Sequence, residues 1–235
     1  MPIRTLALAA ALCAASLPGA APAAPKPGPG QEVAGRGDKG RALALLVQRS
    51  YARAGDFSAR FAQTYTYAAL GRARESTGRV MVKKPGLLRW EYETPDKKLL
   101  VVDGKAFWQW VPDDNQVMVN RHFQGGELSS AFTFLWGKGD LTREFTPREI
   151  PLPEALAKVE GAQRALELLP KKPSAQIQRV VFAVDGSGTV RASLVTDAQG
   201  NDNRLIFSEA KTDSALPDAL FHFEVPKGAN VQELR

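Results

Sequence analysis

The chain has 235 residues, of which 44% are hydrophobic, 24% charged and 8% aromatic. That composition excludes a wholly disordered or collagen-like chain and supplies enough apolar mass for one sizeable core. A single cysteine excludes an intramolecular disulfide and any cysteine-rich metal site, while a net charge of +6 permits nucleic acid, anionic membranes or acidic proteins without choosing among them.

Residues 1–23 read as a secretory signal. Arg4 precedes an apolar run from Leu6 to Leu17, Pro18-Gly19 breaks the run, and Ala21-Pro22-Ala23 offers small residues for cleavage. The run is shorter than the ~20 residues needed to span a bilayer. Cys13 lies inside it and follows Leu12, where a lipoprotein signal would carry a small residue, so it reads as a bystander. Removing 1–23 leaves a cysteine-free chain, suited to an oxidising compartment. Residues 24–37, rich in Pro and Gly, read as a flexible linker. Residues 38–235 then form one domain.

Asp38 caps a predicted helix over 39–54, with Leu43, Leu46, Val47 and Tyr51 on one face. From Asp56 the period changes to two. Phe57, Ala59, Phe61, Tyr65 and Tyr67 share one parity of a long strand. Further strands are predicted at 78–83, 88–93, 99–102, 107–110 and 116–121, with Asp103-Gly104 as a two-residue hairpin turn. Leu88, Trp90 and Tyr92 alternate with Arg89, Glu91 and Glu93, which gives one bulky apolar face and one charged face. Leu128–Trp136 reads as a short apolar helix bounded by glycines, containing Phe132 and Leu135. Residues 149–175 are punctuated by proline; a helical turn at 154–159 and a strand at 163–169 are the readings there. Strands resume at 177–184, 190–196 and 205–209, and Phe221 and Phe223 are expected to close the sheet. Strand signals at short spacing joined by turns predict a mainly β, antiparallel meander rather than a βαβ fold.

The chemistry is sparse. His122 and His222 are the only histidines; His222 reads as an exposed strand residue and His122 as a loop residue at a strand end. Two histidines without a cysteine in the mature chain argue against a zinc site, and no metal ligands are assigned. There is no nucleophile elbow or Walker loop, and no G-x-G-x-x-G follows a strand. Lys83-Lys84, Lys97-Lys98 and Lys171-Lys172 are scattered pairs beside prolines and turns. They read as solvated loop charges rather than a nucleic-acid groove. What is abundant is large apolar surface on strands. Leu88, Trp90, Tyr92, Trp108 and Trp110 fit either a filled core or the lining of a hydrophobic cavity in a strongly curved sheet, with 128–136 as its cover.

The string Lys84-Pro85-Gly86-Leu87-Leu88-Arg89-Trp90-Glu91-Tyr92, followed by Asp103-Gly104-Lys105, resembles the periplasmic outer-membrane lipoprotein carriers, the LolA family. The ending Phe221-His222-Phe223-Glu224-Val225-Pro226-Lys227-Gly228, closed by Val231, resembles that family's C-terminus. The resemblance implies an incomplete, strongly curved antiparallel β-barrel covered by helices. It implies no enzyme and no cofactor, but a cavity that takes the acyl chains of a lipoprotein. Cavity residues would be Leu88, Trp90, Tyr92, Trp108, Trp110, Phe132 and Leu135, and Lys84 would tie the helical lid to the barrel. The expected partners are acylated lipoproteins, an inner-membrane lipoprotein-releasing ABC transporter and an outer-membrane acceptor lipoprotein, with no nucleic acid. The expected location is the periplasm and the expected state a monomer. The alternative is an acceptor, or another lipid- or glycolipid-binding envelope protein, on the same fold.

Overall fold

The computed structural model describes residues 33–123 and 140–234. The signal segment and the predicted helix at 128–136, with Phe132 and Leu135, lie outside the described residues.

Helix α1 (Val33–Arg53) opens the described chain. It starts six residues before the predicted Lys39, so Val33–Gly37 are helical where a linker was expected. No proline follows Pro29 in this stretch, and glycine costs a helix only ~1 kcal/mol, far less than proline. Leu43, Ala44, Val47 and Tyr51 form its buried stripe. The stripe lets α1 lie directly on the sheet: a side chain at Gly40 would come within 2.6 Å of the Arg148 Cα.

Six strands then follow as consecutive hairpins: β1 (Asp56–Tyr67), β2 (Arg72–Lys83), β3 (Leu87–Thr94), β4 (Lys98–Asp103), β5 (Phe107–Val111) and β6 (Gln116–Asn120). Helix α2 (Leu141–Glu144) leads into β7 (Phe145–Ile150). Helix α3 (Glu154–Ala157) leads into β8 (Arg164–Pro170), β9 (Arg179–Val184), β10 (Val190–Thr196) and β11 (Asp202–Thr212). Strand β12 (Asn230–Glu233) comes last.

All twelve form one curled, unclosed sheet in the order β12-β6-β5-β4-β3-β2-β1-β11-β10-β9-β8-β7. Two meanders meet where β1 pairs with β11, and only β12 runs parallel to its neighbour β6. The expected mainly β, incomplete barrel is therefore the observed architecture. The predicted strands extend further than their apolar alternation. β2 begins at Arg72, because β1 offers it a partner residue by residue as far as Tyr67. Strand β7 escaped the periodicity because Pro147 interrupts it; as an edge strand it tolerates a missing N–H donor.

One correction concerns the C-terminal string. Phe221 and Phe223 do not lie in a strand. Asp218–Phe221 is a 3-10 turn, and the closing strand is Asn230–Glu233. Pro217 and Pro226 bracket this segment, and each removes a ladder N–H. His222 is exposed, as expected, but lies on no strand, and His122 sits exposed in a turn after β6.

Alternation divides the apolar residues between two faces. The face carrying α1, here the inner face, holds one continuous cluster contributed by every strand from β5 through β1 and β11 to β7. The outer face carries two smaller clusters. One lies under α3 and its flanking segments, with Leu156, Val181 and Leu194. The other lies on β4–β6, with Val101, Trp108 and Val117 under Phe223.

Candidate functional site

The inner face of β3 presents Leu88, Trp90 and Tyr92 in a row, and all three are buried. Their positions follow from register. Leu88 faces Val82 and Val102, Trp90 faces Val80 and Leu100, and Tyr92 faces Gly78 and Lys98. Phe61 on β1 joins this row across β2. Its ring lies 5.1 Å from Trp90 and 5.2 Å from Tyr92, in the tilted and edge-to-face geometries that aromatic rings favour. Phe57 and Phe207 continue the aromatic surface on β1 and β11 with centroids 6.4 Å apart. The sequence placed Phe57 and Phe61 on one face of a strand, but nothing local to them pointed to Trp90.

Trp108 and Trp110 do not join this surface. Val101 pairs with Trp108 and Leu99 with Trp110, while the neighbouring Leu100 and Val102 face inward. The two tryptophans therefore point outward, where Phe223 packs at 5.4 Å and 6.3 Å from their rings. Arg121 stacks over Trp108 at 5.3 Å. The turn helps to set this orientation. The Asp103 carboxylate accepts from the backbone N–H of Lys105 and Ala106 and from the Trp108 indole N–H, each within 2.9 Å. Burial raises the Asp103 pKa, but these donors outweigh it and hold the carboxyl below its ordinary value. Parity was legible in the sequence; which parity faced inward on β5 was not, because both faces there are apolar.

The polar end of the inner face lies toward the β3–β4 turn. Gln63 is buried on β1, and its side-chain amide donates to Asn203 at 2.8 Å. A hydrogen bond also joins Gln63 to the Tyr92 hydroxyl. Burial pushes the Tyr92 pKa up to about 12, against the opposing effects of Gln63 and Arg74. Lys98 does not behave as a solvated loop charge. It is half-buried, with its ammonium 4.2 Å from the centre of the Tyr92 ring.

Lys84 holds the far end of α1. Its ammonium donates to the Tyr51 and Ala52 carbonyls, the latter at 3.1 Å, and its backbone N–H donates to Gly55 at 2.9 Å. The Tyr51 and Ala52 carbonyls belong to the last turn, which a helix leaves unsatisfied, and a cation there also meets the negative end of the helix dipole. Within the described residues, Lys84 thus ties α1 to the β2–β3 turn; the predicted lid at 128–136 lies outside them. Burial lowers the Lys84 pKa, and Asp213 opposes this. Lys84→Met keeps the aliphatic stem and removes both donors. It is expected to lower stability by about 1–2 kcal/mol and to speed amide exchange in the last turn of α1. Unchanged exchange there on hydrogen–deuterium measurement would dismiss this role.

Among the described residues there is no cluster of three or more His, Cys, Asp or Glu side chains that could hold a metal, and no helix long and apolar enough to cross a membrane. The fold defines a class: a half-open antiparallel shell that carries a broad aromatic and aliphatic face on its inside. The particular family follows from similarity. Residues 52–224 match the model for the outer membrane lipoprotein carrier protein LolA, and the chain belongs to this family of carriers.

Its relatives agree. Over 175 residues the chain is 35% identical to an outer-membrane lipoprotein carrier protein of Chromobacterium violaceum, covering 74% of this chain and 79% of that one. Over 176 residues it is 31% identical to a protein of the same description from Nitrosomonas europaea, covering 74% and 81%. An uncharacterized conserved protein from Thermus thermophilus superposes with a TM-score of 0.51 at 15% identity, over 83% of this chain and 99% of that one. That last likeness concerns the fold alone.

Proposed function

We propose that this chain is a periplasmic carrier that holds the acyl chains of lipoproteins against the inner face of its sheet. It collects them from an inner-membrane ABC transporter and delivers them to an outer-membrane acceptor lipoprotein. Residues 1–23 would direct export and be removed. The observation that carries the reading is the continuous row of Leu88, Trp90 and Tyr92 beside Phe61, on the inside of a sheet that stays open.

The physical demand is clear. Each methylene brought out of water is worth ~0.8 kcal/mol, so a multiply acylated anchor cannot cross an aqueous space unaided. A carrier shields the chains and later releases them to a site of higher affinity. No bond is formed or broken, which suits a site built of aromatic and aliphatic side chains. The test is release of newly made lipoproteins from spheroplasts by the purified protein. Soluble one-to-one complexes in the supernatant are the expected result; a supernatant without lipoprotein would refute the reading.

A further inference from the structure

The inner face is polarised along its strands. At one end lie Leu88, Val102 and Phe107, all apolar and buried. At the other end, beside the β3–β4 turn, lie the Tyr92 hydroxyl, Gln63, Arg74 and Lys98. Register places both cations on the inner side. Lys98 pairs with Tyr92 across β3 and β4, and Arg74 pairs with Tyr65 across β1 and β2. Asp96 is the carboxylate that joins this group, and it is taken by Arg74. Among the described residues no carboxylate forms an ion pair with Lys98. Its ammonium lies instead over the face of the Tyr92 ring. Lys98 and Arg74 against Asp96 leave a local surplus of one positive charge.

We propose that Lys98, supported by Arg74, is a head-group site for a singly charged anionic amphiphile whose hydrocarbon chain runs along Tyr92, Trp90 and Leu88. This rests on the acyl-binding reading above and extends it to a second class of ligand. The acyl anchor of a lipoprotein carries no ionised group of its own. A half-buried ammonium at the head of an apolar row suits a chain that ends in a negative charge. A fatty-acid carboxylate and the phosphate of a single-chain phosphatidylglycerol both supply that chemistry. Burial, with Arg74 acting in the same direction, holds the Lys98 ammonium below its ordinary pKa, while Asp96 opposes them. That is the state of a cation short of counter-charge. An arriving anion would supply it, in a setting less screened than open surface.

The experiment is displacement of a neutral fluorescent probe, N-phenyl-1-naphthylamine, from the full mature chain. The competitors are hexadecanoate, palmitoyl-lysophosphatidylglycerol and the neutral hexadecanamide, each below its aggregation concentration. In wild type and in Lys98→Arg, at least one anion is expected to compete about fivefold more tightly than the amide. That factor is the scale of a partly buried charge pair. In Lys98→Gln the preference is expected to vanish while the amide competes as before. The anion with the larger factor identifies the head group as carboxylate or phosphate. Equal competition by all three in wild type, or a preference that survives in Lys98→Gln, would overturn the head-group site and leave acyl binding intact. Failure of all three to displace the probe would overturn both readings. Thermal unfolding of each variant reports whether it is folded, and Lys98→Arg keeps the charge if Lys98→Gln loses the fold.

Discussion

Gly78→Ala is expected to destabilise the protein by about 3 kcal/mol, at the upper end of what overpacking costs. The reason is local and geometric. Gly78 sits on β2 at a register shift, directly across from Tyr92. A Cβ there would lie 1.8 Å from the Glu91 carbonyl oxygen and 2.9 Å from the Phe61 ring. The first contact is with backbone, so no side-chain rotation relieves it. Strands β2 and β3 must move apart, and that loosens the place where Phe61, Trp90 and Tyr92 meet. For a domain of this size the midpoint should fall by about 10 °C. Thermal unfolding of the mature chain checks it. A midpoint within about 2 °C of wild type, less than 1 kcal/mol on the same scale, would show that the bulge absorbs the methyl group, and that close approach at Gly78 is not what holds the two strands.

The second result separates two tryptophans that look alike in the sequence. Trp90→Ala is expected to weaken binding of a dipalmitoylated cysteine peptide about tenfold, while Trp108→Ala leaves it within a factor of two. Both substitutions remove a largely buried indole, and both should cost the fold about 3 kcal/mol or more. Only Trp90 lies on the inner face beside Phe61 and Tyr92. If about 50 Å² of its ring meets the ligand, about 25 cal/mol per Å² gives about 1.3 kcal/mol, close to tenfold. Trp108 instead closes a turn through Asp103 and packs under Phe223 on the other side of the sheet. Equilibrium dialysis at a temperature where both variants are folded makes the comparison. Equal loss in the two would mean that binding follows overall stability rather than the inner face.

Much of the fold was legible because alternation with period two is a direct imprint of burial. The row Leu88, Trp90, Tyr92 and the charged row Arg89, Glu91, Glu93 each landed on a single face. The hairpin formed one residue later than the predicted Asp103-Gly104 turn: Asp103 ends β4 and Gly104-Lys105 make the turn. The boundary of α1 was misplaced because glycines weaken a helix without ending it. Strand β7 was missed because Pro147 is tolerated only at an edge, and edges are a property of the assembled sheet. Lys98 was read as a solvated charge because its neighbours in sequence are Lys97 and Asp96, whereas its neighbour in space is Tyr92. The contact of Lys84 with α1 joins residues more than thirty positions apart, and no local pattern announces it.

The sequence by itself determined the class of structure, the alternation of most strands, the sparse chemistry and the family. Those are properties of residue type and spacing, which act within a few positions along the chain. Only the tertiary structure decided which side of each strand is the inside. Where both faces of a strand are apolar, as on β4 and β5, the choice depends on what else arrives to cover them. Here Phe123 packs against Phe107 on the inner side, with the rings 5.7 Å apart, and the segment around Phe223 lies over the other face. Trp90 therefore lines the inner surface while Trp108 is sealed against the outside.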